Sequence, residues 1–533
     1  MKKRSTFILA SLIIPFLVGC TMNLPARSSS SGTSNSSSES GSSSTSSKSE
    51  HSGTSTINFF AINDFHGAVN ESPSESRMGI LTLGSYLKEQ GAKPNTVLLN
   101  SGDMFQGSIE SNYNRGRLLT DCMNEIEFDA FTLGNHEFDW GADIIAQNKL
   151  RIAASDGYQT PWLAANIYNY DSVMMQDGDQ QQSQLGDEYT VVELENGCRV
   201  GIIGVIGSEQ WTSIASTHVD DYVFKDPVPI IKNLSDELRT EHGCDLVVVD
   251  IHASQYALLG TGITNVSPVS GKKYADLVFC AHTHRLETEE ENGVFFAQNS
   301  AYGQNFSKVV LTVTDGEVTN YRYTNYQYGY VSPENGIDPN LQALVDSYGE
   351  ESSAAANERL GTAIGTFWRD ESLPNMLAES ILQEAESEGF DVDLAMVNST
   401  RNGLNSGAIT YGRLFECVPF DNAVYIVECQ GADIINEADY NCFARKRTGA
   451  FNYSDTYRIA VLDYLALHKN YGRMYDYFPT VQVVDRLEKN DEMYCYRDIL
   501  AQYIRNHQSV DPDDYSSSLP RYNRGSLLSS ITL

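Results

Sequence analysis

Short runs of apolar residues alternate with helical segments from Ile57 onwards. The runs have the length and composition of buried strands. They cover Ile57–Ile62, Thr96–Asn100, Ala130–Leu133, Arg199–Ile206, Asp245–Ile251, Asp276–Cys280, Val294–Ala297 and Val309–Val313. Helical stretches lie between several of them, for example from Ile80 to Gln90. This alternation predicts a layered α/β sandwich, which we assign to residues 57–335.

A second pattern follows the sandwich. A helical pattern extends from Asp338 to Leu360 and predicts a connecting helix or linker over residues 336–360. Another helical segment comes next, and apolar runs follow at Leu394–Val397 and Ala423–Val427. We expect residues 361–533 to form a smaller α+β domain.

The first residues have the organisation of a targeting segment. Basic residues at positions 2–4 precede an apolar run from Phe7 to Val18, which is too short for a comfortable membrane span. The stretch Leu17-Val18-Gly19-Cys20 resembles a bacterial lipobox, in which the cysteine is lipidated and becomes the mature N-terminus. We expect a lipoprotein signal peptide over residues 1–20 and an outward-facing protein anchored to the bacterial membrane through Cys20. A cleaved secretion signal without lipid is the alternative.

Composition separates a tether from a globular body. Residues 21–56 are dominated by Ser, with almost no apolar residue, and predict a flexible tether. The whole chain of 533 residues is 41% hydrophobic, as in globular proteins. Its formal net charge of −33 argues against binding of a nucleic-acid polymer, because phosphates repel an acidic surface. A small phosphorylated substrate is still compatible, since bound cations can invert the local charge.

Cysteine usage indicates neither a zinc ribbon nor a redox motif. Apart from Cys20 there are eight cysteines, scattered and without a CxxC pair. Outside the cell they could form disulfides, but the sequence assigns no pairing. We expect Cys244 and Cys280 to be buried as small hydrophobic residues. The oligomeric state is left open.

Polar residues of the kind that bind metals recur where the predicted strands end. Open α/β sheets bind ligands at this carboxyl edge. Asp64 and His66 are two residues apart, as are His282 and His284, and residues at this spacing share a face if the strand continues through them. Five of the ten histidines belong to this set. Its members are Asp64, His66, Asp103, Asn135, His136, His252, His282 and His284.

The number of these groups is sufficient for two divalent ions, such as Zn²⁺ or Mn²⁺. Two nearby ions need one shared carboxylate and about three further ligands each. Asp103 can be the shared carboxylate. The two sets would then be Asp64, His66 and His284 for one ion, and Asn135, His252 and His282 for the other.

The segment Gly134-Asn135-His136-Glu137-Phe138-Asp139 also supplies a proton-transfer group. His136 is suited to general acid catalysis, and Asp139, three residues later, could orient its imidazole. An ordinary Asn-capped turn with a partly exposed histidine is the alternative.

Taken together, these motifs resemble those of the calcineurin-like metallophosphoesterases. The resemblance rests on Asp64-x-His66, Gly102-Asp103, Gly134-Asn135-His136-Glu137, His252 and His282-x-His284. The segment Asn63–Gly67 and the Phe138-Asp139 extension look like the 5′-nucleotidase branch, which includes bacterial UDP-sugar hydrolases and animal ecto-5′-nucleotidases. The likeness extends from about Ile57 to about Tyr330. Ala281 departs from the family, which has Gly before the His-x-His pair.

The resemblance implies a fold and a mechanism. We expect a four-layer type of α/β sandwich, joined by a helix to a smaller α+β substrate-binding domain. In the family the shared aspartate, here Asp103, bridges two metal ions, and a metal-bridging hydroxide attacks phosphorus in line. The histidine and later aspartate, here His136 and Asp139, stabilise the developing charge or protonate the leaving oxygen.

The C-terminal region resembles the substrate-binding domain of the same branch less evenly. The implied substrate contacts are Arg401, Phe420, Asn422 and Tyr464, with the two aromatics stacking on a nucleobase. Ser399-Thr400 stands where the family has a glycine pair, and His468-Lys469-Asn470 replaces a Gly-Gly-Asp. Lys469 could meet a second phosphate. Phe420 and Tyr464 could instead be core aromatics.

These features predict an extracellular two-metal phosphohydrolase that acts on nucleotides. The altered second domain leaves room for 2′,3′-cyclic nucleotides or UDP-sugars as substrates. A non-catalytic binding lipoprotein on the same scaffold is the alternative from another class.

Overall fold

The computed structural model describes residues 29–31, 53–174, 180–468, 476–490 and 492–528. The predicted signal peptide with Cys20, most of the predicted tether, and Lys469 and Asn470 lie outside the described residues.

The first domain contains strands and helices in alternation. Its strands are β1 Ser29–Ser31, β2 Thr54–Ile62, β3 Thr96–Asn100, β4 Ala130–Thr132, β5 Trp162–Leu163, β6 Ile167–Asn169, β7 Tyr189–Glu193, β8 Arg199–Ile206, β9 Tyr222–Phe224, β10 Leu246–His252, β11 Leu277–Cys280, β12 Glu287–Glu291, β13 Val294–Gln298, β14 Asn305–Thr314 and β15 Glu317–Gln327. Its helices are α1 Ile80–Gly91, α2 Ile109–Asn112, α3 Arg117–Ile126, α4 Ala142–Lys149, α5 Tyr170–Met174, α6 Pro227–Thr240 and α7 Pro339–Ala356.

Two sheets form the centre of this domain. One has the strand order β15-β14-β2-β3-β4-β5, and the other has the order β1-β7-β8-β10-β11-β13-β12. Strands β2 to β5 run parallel, as do β8, β10, β11 and β13. Apolar side chains from both sheets, among them Leu99 and Val248, share one buried cluster. The two sheets therefore pack face to face.

Helices cover the outer face of each sheet. Leu83 of α1 and Leu119 of α3 are buried with Leu98 of the first sheet. Ile231 and Leu238 of α6 are buried against the second sheet. The order of layers is helix, sheet, sheet, helix, which confirms the predicted α/β sandwich.

The second domain is smaller and has a mixed α/β architecture. Its strands are β16 Arg359–Ala363, β17 Leu394–Val397, β18 Gly407–Thr410, β19 Val424–Gln430, β20 Cys442–Arg445, β21 Thr456–Leu462, β22 Gln482–Arg486, β23 Glu488–Lys489, β24 Glu492–Met493 and β25 Ser509–Val510. Its helices are α8 Ser372–Ser387, α9 Tyr411–Cys417, α10 Gly431–Glu437, α11 Asp463–Ala466 and α12 Tyr496–His507. A five-stranded sheet, β20-β17-β21-β19-β22, shares a core with α8 and α12.

The connecting helix is shorter than predicted. It ends at Ala356, and the predicted helical residues 359 and 360 lie in strand β16, where main-chain pairing with β18 replaces the helical bonds. Helix α7 also packs on the first domain, because Leu341 is fully buried with α1 and α3. The Tyr348 hydroxyl donates to Asp121 Oδ2 at 2.7 Å. Most of the predicted connector is therefore part of the first domain's packing.

The eight cysteines within the described residues are free thiols, and seven are buried. Cys244 and Cys280 are among the buried ones, as predicted. Among the helices of the described part of the chain, none combines the length and hydropathy needed to cross a bilayer.

Candidate metal centre and active site

The predicted metal ligands lie at the carboxyl ends of parallel strands from both sheets. Asp64 and His66 follow β2, Asp103 follows β3, and His252 is the last residue of β10. The remaining members of the set follow β4 or β11. Five of these non-glycine residues have left-handed backbone, with φ between 48° and 75°. Such strained backbone clusters at functional sites. The five are Asp64, His66, Asp103, His282 and His284.

Side chains of these residues form two groups that share Asp103. One group contains Asp64, His66, Asp103 and His284, and the other contains Asp103, His252 and His282. Within each group the nitrogen and oxygen atoms that could bind an ion lie within 4.8 Å of one another. Asn135 Oδ1 joins the second group, at 3.2 Å from His252 Nε2 and 3.0 Å from His282 Nδ1. The division into two sets is the one that the ligand count predicts.

The histidine rings are oriented so that lone pairs face the cluster. Nδ1–H of His66 donates to the Gln106 carbonyl at 2.9 Å, and Nδ1–H of His252 donates to the Ser101 carbonyl at 2.8 Å. Each Nε2 then faces the cluster, and the two lie 3.8 Å and 3.3 Å from Asp103 Oδ2. A proton or a metal ion can join each Nε2 to the carboxylate, and backbone-anchored imidazoles are typical of metal ligands. The donor set of carboxylate, amide and imidazole therefore fits divalent metals such as Zn²⁺ or Mn²⁺.

Asp103 and His252 shift each other's pKa values. Burial lowers the pKa of His252, but the Asp103 carboxylate outweighs burial and raises that pKa to about 10. Burial raises the pKa of Asp103, yet the nearby imidazoles of His252 and His136 hold it well below its ordinary value. Asp103 is therefore an ionised carboxylate at neutral pH, although it is almost completely buried.

Glu137 fixes the loops that carry the ligands, a role that the sequence reasoning did not assign. Its carboxylate accepts hydrogen bonds from the backbone N–H groups of Asp103, Met104 and Gly134, at 2.9, 2.9 and 2.7 Å. Its position in the Asn135-His136-Glu137 motif was the available signal in the sequence. Because it bonds to two separate loops, Glu137 sets the distance between Asp103 and Asn135.

Asp250 is a second support that the sequence reasoning missed. It is fully buried and accepts hydrogen bonds from Ser101 Oγ at 2.5 Å and Thr132 Oγ1 at 2.6 Å. Burial raises its pKa to about 6. An aspartate inside the apolar run of β10 was the available signal, since charged residues are rarely buried without a partner.

Two glycines allow the loops to approach each other closely. Gly102 has φ +96°, and a Cβ there would lie 2.7 Å from Nδ1 of His252. A Cβ at Gly134 would collide with the carboxylate of Asp103. No larger residue fits at these two positions without displacing a ligand.

His136 and Asp139 form a hydrogen-bonded pair beside the cluster. Nδ1–H of His136 donates to Asp139 Oδ2 at 2.9 Å, and its backbone N–H donates to Asp103 Oδ1 at 2.9 Å. Its ring centre lies 5.2 Å from that of His66. Burial lowers the pKa of His136, but the carboxylates of Asp139 and Asp103 outweigh burial and raise it. The arrangement favours an imidazole that carries a proton next to the metal ligands.

Three of the four predicted substrate contacts line one cavity of about 190 Å³ together with His136 and Asp139. These three are Phe420, Asn422 and Tyr464. The Phe420 ring stacks on His136 at 5.9 Å and 20°. Asn422 Nδ2 donates to Asp463 Oδ1 at 2.6 Å. The cavity leads from the candidate acid into the second domain.

Arg401 lies on the metal side of this cavity. Its Nη2 donates to the Tyr302 hydroxyl at 2.8 Å, and the Tyr302 ring centre lies 5.2 Å from that of His66. Burial is the main cause that lowers the pKa of His66, and the guanidinium adds to it. At His136 the guanidinium and burial oppose the carboxylates of Asp139 and Asp103, which still raise that pKa. Tyr302, which the sequence reasoning did not single out, therefore positions the arginine of one domain against the ligands of the other.

The departures from the family pattern have structural consequences. Thr400, in place of a glycine, is buried, and its N–H and Oγ1 both donate to the Arg369 carbonyl, at 2.9 and 3.1 Å. His468 uses Nε2 to bond the Thr212 carbonyl of the first domain at 3.0 Å. Its ring also stacks on Trp211. Larger side chains thus replace the close backbone approach that glycines would allow.

The four-layer α/β fold and the Asp–His cluster at its strand ends are typical of metal-dependent phosphoesterases. Residues 57–286 match the family described as calcineurin-like phosphoesterase. Residues 352–437 match the family described as 5′-nucleotidase, C-terminal domain. The chain thus contains a calcineurin-like phosphoesterase domain followed by a 5′-nucleotidase C-terminal domain.

Individual relatives are distant. Endonuclease YhcR of Bacillus subtilis (strain 168) is 24% identical over 413 residues, which cover 71% of this chain and 32% of that protein. Cell wall protein Lmo0130 of Listeria monocytogenes serovar 1/2a is 25% identical over 448 residues, which cover 72% of this chain and 55% of that protein. The chain thus spans between a third and about half of the length of these relatives.

A solved structure shares the fold across both domains. The 5′-nucleotidase precursor from Thermus thermophilus superposes with a TM-score of 0.65 and 18% sequence identity. The match covers 85% of this chain and 97% of that one.

Proposed function

We propose that this protein is an extracellular, metal-dependent phosphohydrolase that releases phosphate from nucleotides. The observation that carries the proposal is Asp103, which belongs to both groups of candidate ligands and also accepts a hydrogen bond from the backbone of His136. The candidate ligands, the candidate acid and a cavity with aromatic walls are thus contiguous. The 5′-nucleotidase precursor from Thermus thermophilus, which shares the fold, supports the same substrate class.

We assign the two groups of ligands to two divalent ions. Asp64, His66 and His284 would hold one ion and Asn135, His252 and His282 the other, with Asp103 shared. Bound cations of this kind lower the pKa of water and neutralise the charge on a phosphoryl group.

The side chains of this protein supply orientation and a proton. With Nδ1 of His136 bonded to Asp139, Nε2 is the nitrogen left to protonate the leaving oxygen. The carboxylates of Asp139 and Asp103 outweigh burial and raise the pKa of His136, which favours the protonated imidazole. Arg401 offers positive charge to the phosphate, and Phe420 and Tyr464 offer faces for a planar base.

A different phosphoester is the second candidate within this class. The observation that favours it is the altered second domain, in which Thr400 and His468 replace glycines and make contacts of their own. Substrates to include are therefore 2′,3′-cyclic nucleotides and UDP-sugars. The non-catalytic alternative has less support, because every predicted ligand and the His136–Asp139 pair are present.

The direct test is phosphate release by purified mature protein loaded with Mn²⁺ or Zn²⁺. We expect hydrolysis of at least one nucleotide in a panel of nucleoside monophosphates, cyclic nucleotides and UDP-sugars. Asp103→Ala should lose at least ~10³-fold in kcat/KM, since it removes the shared ligand. Asp346→Ala, an exposed aspartate on α7, is the matched control and should behave as wild type. Full activity of the Asp103 variant would refute the proposal.

We further propose that the protein is held at the outer surface of the bacterial membrane by a lipid on Cys20. The lipobox-like Leu17–Cys20 and the Ser-rich segment after it support this location. Cells fed a labelled fatty acid should label the wild type and leave Cys20→Ser unlabelled and released from membranes. Cys442→Ser is the control and should stay labelled. Label on the Cys20 variant would contradict the proposal.

A further inference from the structure

A segment of the first domain forms one wall of the cavity that otherwise belongs to the second domain. This segment, residues 210–218, joins β8 to β9 through two short 3₁₀ helices, Gln210–Ser213 and Ser216–His218. Three of its residues, Ser213, Ala215 and His218, line the cavity. No sequence motif marked this segment.

The wall is held in place from both domains. Ile214 is buried in the core of the first domain and is 1% exposed. The Thr212 carbonyl accepts the 3.0 Å hydrogen bond from His468 Nε2, and Trp211 stacks on the His468 ring at 5.8 Å and 20°. The segment is therefore anchored against the second domain as well as its own. Side chains that project from it into the cavity have a defined position.

His218 lines this cavity, and one of its ring nitrogens has no hydrogen-bond partner in the described part of the chain. Its Nδ1 is shielded from solvent and has no hydrogen-bond partner among the described residues. Of the eleven residues that line the cavity, it is the one with such an atom in the described part of the chain. A buried polar atom without a partner costs stability. A ligand in the cavity is the available source of a partner.

Asp463, an acidic group that interacts with His218, already accepts hydrogen bonds from other donors. Asp463 is 5% exposed, and the charge of His218 affects its pKa less than burial and its own hydrogen bonds do. The Asp463 carboxylate accepts hydrogen bonds from Asn422 Nδ2 at 2.6 Å and from the N–H groups of Tyr464 and Ala423 at 2.7 and 3.1 Å. These bonds orient Asn422 and the start of α11, and they leave His218 free to bond with a ligand.

We propose that His218 hydrogen-bonds the edge of the nucleobase and thereby sets base preference; this rests on the proposed function. A base whose faces contact Phe420 and Tyr464 exposes its ring nitrogens and exocyclic groups in its own plane. The 210–218 wall supplies His218 Nδ1 and the Ser213 hydroxyl to such an edge. The phosphate then lies towards His136, which lines the same cavity.

The proposal predicts a selective effect on substrates. A base that pairs with Nδ1 gains a hydrogen bond, and one that cannot pair leaves the atom buried and unsatisfied. An ester without a base, such as ribose 5-phosphate, does not reach the wall. His218 should therefore affect the KM for nucleotides and leave the chemical step unchanged.

The test compares His218→Ala and His218→Asn with Thr217→Ala, an exposed neighbour, in the full chain loaded with Mn²⁺. Kinetic constants are measured for four nucleoside monophosphates and for ribose 5-phosphate. We expect His218→Ala to raise KM about tenfold for the preferred nucleotide and to level the preference among bases. The Asn variant, which keeps a polar group there, should retain part of the preference. Thr217→Ala and all values for ribose 5-phosphate should match wild type.

Unchanged nucleotide constants in His218→Ala, or an equal loss on ribose 5-phosphate, would overturn the proposal. Calorimetric binding of free nucleosides separates it from the proposed function, because binding needs no hydrolysis. If the wild type cleaves no nucleotide but binds a nucleoside more tightly than His218→Ala does, the function fails and the assignment of His218 stands. A wild type that binds no nucleoside, or an Ala variant with the same affinity, would refute the assignment.

Discussion

The metal centre and the substrate cavity are built in different ways. Each candidate ligand lies at or just beyond the end of a buried strand, and hydrogen bonds such as those of Glu137 join neighbouring loops. The cavity instead draws its walls from both domains, including the 210–218 segment and residues near positions 398, 420 and 463. The first kind of site is marked by short motifs, whereas the second depends on how two domains meet. Chemistry is therefore easier to infer from this sequence than substrate choice.

The largest expected effect separates the candidate acid from the ligands. His136→Ala should lower kcat by about 10²–10⁴-fold, the usual contribution of a positioned acid or base. Bound metal should stay at the wild-type level, since the imidazole of His136 belongs to neither ligand group. Parallel assays of turnover and metal content check this. His242→Ala, which removes a half-buried histidine elsewhere, is the control. A loss of metal in the His136 variant would show that His136 also contributes to metal binding.

The contribution of Glu137 to metal binding should be measurable separately from its effect on catalysis. Glu137→Gln weakens three hydrogen bonds to backbone N–H groups and should reduce metal affinity about 10–100-fold. Titration of metal-free protein with Mn²⁺ gives the affinity, and Glu241→Gln, an exposed position, serves as the control. Wild-type affinity in the Glu137 variant would mean that the loops are held by other contacts.

A smaller effect is expected in the cavity. Tyr464→Ala should raise KM for nucleotides about tenfold, because stacking on an aromatic side chain contributes about 1–3 kcal/mol per base. The rate with ribose 5-phosphate should not change. Tyr453→Ala, an exposed tyrosine of the same domain, provides the matched comparison. Equal losses on both substrates would place Tyr464 in the core and remove it from the binding surface.

The smallest effect concerns the start of helix α7, which follows the last strand of the first domain along the chain. Burial raises the pKa of Glu125 and of Asp338, but hydrogen bonds from Lys88 outweigh it and hold both below their ordinary values. Depressed pKa values stabilise the fold above the unfolded-state values, and this contribution is lost as pH falls through the folded-state values. Lys88→Met should therefore lower Tm at pH 7 by about 2–4 °C per kcal/mol lost.

The difference from wild type should shrink as pH falls below the ordinary values of 4.5 and 3.8. Thermal melts across pH 3 to 7 follow this difference, with Lys93→Met as the surface control. A difference that is constant with pH would contradict the electrostatic explanation.

The parts of the fold that the sequence predicted are those with local signals. Strands β3 and β8 have the predicted bounds because each is a continuous apolar run between polar turns. The connecting helix was predicted too long, because residues 359 and 360 belong to strand β16, which pairs with β18 about fifty residues further along the chain. Short strands such as β5, with two residues, have no periodicity to detect.

The same division applies to the candidate site. The predicted ligands follow apolar strands and could be located one by one. His218 lies in a polar loop without a motif, and only its position in the folded chain connects it with Phe420 and Tyr464. His468 could be recognised as a departure from a family pattern, but its contact with Thr212 depends on the packing of the domains.

The most direct test of the account is the metal content of purified mature protein after loading and desalting, measured by elemental analysis. The account predicts about two divalent ions per chain in the wild type and a clear loss of both in Asp103→Ala, because that carboxylate belongs to both groups of ligands. A wild type that retains no divalent metal, or an Asp103 variant with the same content as wild type, would contradict it.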